Sequence, residues 1–176
     1  DNLAKAIATY ERTLITPNSP VDKYLLGDKK ALSMSAQRGM NTVKKIGCTN
    51  CHNGMNYAGP EKKMGNGFFQ RFPTNTDSDY VKKYNLTTDK GLFEVTRKEE
   101  DKHMWRVPTW RNVALTAPYF HNGSVKKLDE AVRVMAKTQL GKNLADDEVK
   151  DIVAFLEALT GDFPKQTMPQ LPETST

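Results

Sequence analysis

A chain of 176 residues is long enough for one domain, or at most a domain and a half. With 38% hydrophobic and 27% charged residues it has a soluble globular composition, which excludes a disordered chain, and no apolar stretch is long enough to span a bilayer. The formal charge of +5 gives no nucleic-acid signal. Basic residues are scattered or paired, as at Lys29-Lys30, Lys44-Lys45 and Lys62-Lys63, with no interleaved aromatic stripe. Solvated surface charge is the plain reading, and steering of an acidic redox partner the functional one. No export signal is visible, so any such segment is expected to have been removed or to lie outside these residues.

Leu3, Ile7, Tyr10 and Leu14 recur at helical spacing, which predicts an amphipathic helix over 2–14, closed by Pro17 and Pro20. A short helical stretch follows with Val21, Tyr24 and Leu25. A second clear helix is predicted from Ser35, as N-cap, to Lys45, with Met40 and Val43 inward and Gly47 ending it. From 53 to about 120 periodicity is poor and Gly, Pro, Asn and Thr are frequent. Ten of the 15 aromatic residues lie between Phe68 and Phe120, too much apolar area to leave in water, so this long loop is expected to wrap something large and flat. Two further helices are predicted. One covers about 127–137, with Leu128, Val132 and Met135 on one face. The other covers about 146–160 and carries the stripe Val149, Ile152, Val153, Leu156 and Leu159. Residues 162–176 read as an extended tail, leaving a domain over 1–161. No repeat and no convincing strand pair is legible.

Both cysteines fall in Cys48-Thr49-Asn50-Cys51-His52, a C-x-x-C-H motif. Two thiols at this spacing reach the two vinyl groups on one edge of a haem, and the next residue turns its imidazole to the iron. Such attachment needs reduced thiols and exported haem, which points to the periplasm. Three rivals are weaker. A thioredoxin-like redox pair would sit at a βα junction, and no βαβ pattern surrounds it. A zinc site would draw on His103 and His121 without any second paired spacing. A disulfide here would close too short a loop to stabilise much.

A porphyrin is flat and apolar enough to be what the aromatic-rich loop wraps. The sixth iron position is open to several residues on spacing alone. Met55 is too close to His52 to reach the other face. Met34 and Met40 are expected to pack in the core, and Met64 and Met104 lie in the wrapping loop. Met135, on the apolar face of the later helix, is a further candidate, and His103 and His121 are the alternatives. A thioether would raise the haem potential and suit electron transfer.

The run Val107-Pro-Thr-Trp-Arg-Asn-Val-Ala-Leu-Thr-Ala-Pro-Tyr-Phe-His-Asn-Gly-Ser124 resembles the hallmark of bacterial dihaem cytochrome c peroxidases, the family that includes MauG-like enzymes. So do Ala6–Leu14 with Thr16–Pro20, Ala131–Met135 with Gln139–Gly141, and Asp151–Gly161. The likeness is to the C-terminal half of that family.

The resemblance implies an all-α, cytochrome c-like haem domain with a long irregular loop wrapping the haem. It implies one covalent haem c on Cys48, Cys51 and His52, with Met135 from the A-V-x-x-M segment as the second iron ligand. MauG-like members use a tyrosine there, so Met135 favours the peroxidase branch. It also implies a calcium ion between two domains, partly held by the backbone carbonyls of Thr116 and Pro118. Trp105, Arg106 and His121 are implied as electron-relay candidates, each with a structural or propionate-contacting role as the plain reading. The implied donor is a small cytochrome c or copper protein, and the implied acceptor a peroxidatic haem domain of the same enzyme. The full-length protein would form a homodimer. A standalone monohaem electron carrier is the alternative. One departure is visible: the family usually has an aliphatic residue where this chain has Trp110.

Overall fold

The computed structural model describes residues 1–60, 62, 66–167 and 170. Met64 and most of the predicted tail lie outside the described residues. The chain is mostly helical with little sheet, as the all-α, cytochrome c-like reading expects.

Helix α1 (Asn2–Glu11) ends three residues before the predicted limit, and none of its residues is buried. Its apolar stripe is real, but no part of the described chain covers it: Leu3 is 75% exposed. Helix α2 (Pro20–Leu25) starts from a capping box in which Ser19 and Asp22 satisfy each other's backbone N–H groups, with Pro20 in the first turn. Val21 is fully buried, and its N–H donates to the Ala158 carbonyl, joining this helix to the end of the chain's last one.

Helix α3 (Met34–Ile46) is capped by Ser33, whose hydroxyl accepts from the Ala36 N–H, and not by Ser35. Ser35 lies two positions later, inside the helix, and its hydroxyl donates to Asp151 instead. The shift also leaves Met34 exposed at the first helical position, whereas Met40 is buried as expected. Gly47 ends the helix at φ 100°, a left-handed conformation that glycine adopts without steric cost.

After a region of short elements come α6 (Leu128–Leu140) and α7 (Asp146–Glu157), which together with α3 frame the core. Val21, Leu32, Ala36, Met40 and Val43 pack against Ile152, Phe155, Leu156 and Leu159. Gly39 allows α3 and α7 to cross closely, since a Cβ there would lie 1.9 Å from the Asp151 carbonyl oxygen. Arg38 locks the same crossing by a two-pronged ion pair, with both N···O distances 2.7 Å, to the Asp151 carboxylate. Gly39→Ala must push the helices apart. It is expected to destabilise the folded protein by about 1–3 kcal/mol, the usual cost of overpacking, read as a lower thermal midpoint.

The stretch predicted as irregular is more ordered than its sequence suggests. Strands β1 (Phe69–Arg71) and β2 (Met104–Arg106) pair antiparallel, with Gln70 opposite Trp105. This corrects the reading that no strand pair exists. Three residues per strand are too few to show alternation, and the partners are more than thirty residues apart. Two short helices, α4 (Asp79–Lys83) and α5 (Phe93–Thr96), lie between them. A second core forms here from Phe72, Val81, Leu86 and Val125 against Ala131 and Val134 of α6. Trp105, Tyr119, Phe120 and Met135 pack at its edge.

Helix α7 stops at Glu157 and not at Thr160; a turn follows at 158–159, and the described residues 160–167 form no helix or strand. The Asp162 N–H donates to the Pro17 carbonyl, so the start of the tail is tied to the domain. Among the described residues no helix is long and apolar enough to cross a membrane.

Candidate haem site

The motif follows Gly47 as a single tight turn, Cys48–Asn50. The N–H groups of Cys51 and His52 both donate to the Cys48 carbonyl, at 3.3 and 3.0 Å. This turn delivers two half-buried free thiols and a buried imidazole to one wall. The wall faces a cavity of about 400 Å³, and a second cavity of about 150 Å³ adjoins it. Cys48, His52, Trp110, Phe120 and Met135 line both, and Cys51 lines the larger. The lining is mostly apolar and aromatic with a few convergent polar groups, the character of a cofactor site.

Met135 reaches the cavity from α6, although 83 positions separate it from His52 in the chain. Among the described residues it is the methionine that lines either cavity. Met104 is taken up in the strand pair, and Met55 is exposed. Of the two other histidines, His121 lines the larger cavity, while His103 does not and turns Nδ1 to the Asp89 carbonyl at 3.2 Å.

Burial governs the protonation of the motif. It pushes the Cys48 thiol up to about 11 and raises Cys51 as well. It lowers His52 to about 4, against weaker opposition from hydrogen bonds to the backbone at Tyr57 and Pro108. At neutral pH the imidazole is therefore uncharged, the form that binds a metal. Its Nδ1 lies 3.2 Å from the Tyr57 carbonyl oxygen, the kind of backbone anchor that orients a ligating histidine.

Trp110, the departure noted in the sequence, lies flat on His52 with ring centroids 4.4 Å apart and planes at 17°. Trp105 and His121 stack on each other at 4.0 Å and 14°. Trp105 Nε1, His121 Nε2 and Gln139 Oε1 are buried in the cavity lining without a hydrogen-bond partner. Orphaned polar atoms around an apolar cavity are what a flat apolar ligand with polar substituents would satisfy, so these residues fit a haem. Arg106 lines the same cavity from β2.

Thr116 and Pro118 also line the larger cavity, and the Thr116 hydroxyl donates to the Val113 carbonyl at 3.1 Å. Among the described residues no cluster of three or more His, Cys, Asp or Glu could hold a metal ion by itself. His103, one of the residues the zinc alternative would draw on, lies outside the cavity that Cys48, Cys51 and His52 line.

Sequence reasoning missed three contributors. The Tyr57 carbonyl is a backbone group and leaves no trace in residue type. Gln139 is one polar residue among many. Arg111 was passed over inside the hallmark, yet it makes a two-pronged ion pair with Asp22, at 2.9 and 3.0 Å. Its Nε also donates to the Met55 carbonyl at 2.9 Å. The hydrogen bonds from Arg111 hold the Asp22 carboxyl below its ordinary range.

A small helical domain whose C-x-x-C-H turn, buried histidine and cavity-lining methionine converge in this way has the architecture of a cytochrome c-like haem domain. Residues 1–30 match the family model described as di-haem cytochrome c peroxidase. Over 99% of its length the chain is 44% identical to cytochrome c551 peroxidase of Pseudomonas aeruginosa, covering 48% of that protein. It is 43% identical over 92% of its length to cytochrome c peroxidase Ccp of Escherichia coli, covering 33% of it. A crystal structure of a MauG-like protein associated with microbial copper homeostasis superposes with a TM-score of 0.63 at 26% identity, over 82% of this chain and 52% of that one. Over nearly its whole length the chain is similar to one part of the dihaem cytochrome c peroxidases of the MauG-like family. It spans about half the length of the Pseudomonas aeruginosa relative, and about a third of the Escherichia coli one.

Proposed function

We propose that this chain is the electron-relay haem domain of a dihaem cytochrome c peroxidase. In this reading Cys48 and Cys51 would hold one haem c through thioethers, and His52 and Met135 would be the ligands to its iron. The observation that carries the reading is the position of Met135 on the cavity that the two cysteines and His52 also line. When bound there, haem c supplies a one-electron site, and methionine ligation sets it at the high-potential end.

The chain's own groups do the rest. The apolar walls exclude water, and the Tyr57 carbonyl fixes the His52 ring. Trp105 Nε1, Arg106 and His121 line the cavity and would hold the carboxylates of a bound haem. The stacked Trp105 and His121 rings on the cavity lining are the proposed exit toward a peroxidatic haem domain.

The proposed donor is a small cytochrome c or copper protein, the proposed compartment the periplasm, and the proposed full-length assembly a homodimer. Calcium at the Thr116 and Pro118 carbonyls would need ligands from another domain.

The reading is tested by loading the chain with haem and mixing it with a reduced small cytochrome c or a reduced copper protein, and separately with peroxide. Rapid reduction by one of these donors is expected, with slow peroxide turnover, because iron with two protein ligands has no open position. Rapid turnover by the intact domain would overturn the relay assignment. An upstream reading frame without a second C-x-x-C-H would favour the standalone electron carrier.

A further inference from the structure

We propose that Trp110 is a positioning residue for His52, its indole face setting the rotation of the imidazole ring. The inference rests on the reading of His52 as an iron ligand and concerns what holds that ligand. The two rings lie 4.4 Å apart and nearly parallel, in the range favoured by stacked aromatic pairs. Tyr57 also stacks on the indole, at 5.7 Å and 18°. The fully buried Phe155 of α7 meets both rings edge-on, at 79° to Tyr57 and 85° to Trp110.

The backbone supports the same arrangement. The residues flanking Trp110 are tied to those just before Tyr57: Thr109 donates from its hydroxyl to the Asn56 carbonyl, and Arg111 from Nε to the Met55 carbonyl. Tyr57 thus acts twice on the site. Its carbonyl accepts from or faces His52 Nδ1, and its ring stacks on the indole that covers the imidazole. The hydrogen bond fixes the tilt of the ring, and the stack opposes rotation about the bond to iron. An aliphatic side chain at 110 would fill space without presenting a plane to align with. The plane of an axial imidazole selects which iron d orbital it mixes with, so this contact shapes the direction in which the site exchanges electrons.

The test uses the haem-loaded chain and three readouts. Covalent haem content and the visible ligation spectrum check the underlying reading first. Absence of covalent haem, or of a His/Met spectrum, would overturn that reading and with it the premise for Trp110. Given both, proton NMR of the reduced, diamagnetic protein is expected to show cross-relaxation between the His52 and Trp110 rings, and its absence would overturn the proposal without any variant. Trp110→Leu is expected to change the g-values of the oxidised protein's low-spin electron paramagnetic signal and broaden it, at unchanged haem content. Trp110→Phe, which keeps a flat face, is expected to stay near the wild-type values. Equal shifts in both variants, or none in either, would sink the stacking role. Should Trp110→Leu fail to fold, the NMR contact and the Trp110→Phe signal still decide.

Discussion

Replacing both Cys48 and Cys51 with serine is expected to abolish covalent haem attachment, so that the denatured chain has the mass of the polypeptide alone. The two thiols are the whole cysteine inventory, and one turn presents both at the cavity wall. Serine keeps the size and the local hydrogen bonding while removing the atom that forms a thioether. Each single variant retains one attachment point and is expected to keep some haem after denaturation. A double variant that still carries haem through denaturation would refute the attachment.

The same variant carries a stability consequence. A fully enclosed apolar cavity of about 400 Å³ would cost on the order of 10 kcal/mol at 24 cal/mol per Å³. An open mouth lowers that bound, but the figure matches the entire stability of a small domain. Without haem the double variant should therefore melt far below the loaded protein and bind a hydrophobic dye.

Met135→His is expected to remove the thioether-to-iron charge-transfer band of the oxidised protein. It should also lower the reduction potential on the order of hundreds of millivolts, given that axial ligands span about 0.8 V across haem proteins. Met135→Ala is expected to remove the same band and to raise peroxide turnover, since it opens an iron position. Met135 is half-buried, and the well-packed positions beside it on α6 are Ala131, Val134, Ala136 and Thr138. Its side chain lines both cavities at the edge of the second core, so the alanine variant should fold. A charge-transfer band that survives either substitution would remove Met135 from the iron. His121, which lines the larger cavity, would then be the next ligand to change.

Both predictions depend on positions that differ in how far they can be read from residue order. The C-x-x-C-H turn is a local object. Its chemistry follows from three residues within five positions, and Gly47 before it marks the end of a helix whose apolar period is plain. The long helices were legible for the same reason: an amphipathic stripe is a repeated short-range signal, and α3, α6 and α7 each carry one. Their boundaries were less so. The cap of α3 went to Ser33 because two serines two positions apart compete for one role, and only the partner at Asp151 decides between them.

The stripe on α1 shows the reverse limit. Amphipathicity predicts that a face will be buried but names no partner, and here the described chain supplies none.

Taken by itself, the order of residues determined the C-x-x-C-H turn, the helical class of the fold and the likeness to a peroxidase family. These rest on contiguous segments. The resemblance singled out Met135, and the tertiary structure brings it to the cavity where Met104 and Met55 do not reach, although the three do not differ in chemistry. The tertiary structure alone decided the pairing of β1 with β2, the Arg111–Asp22 clamp and the stack of Trp110 on His52. Each joins groups far apart in the chain, where closing the intervening loop costs entropy that only the assembled core offsets, and no local pattern records it.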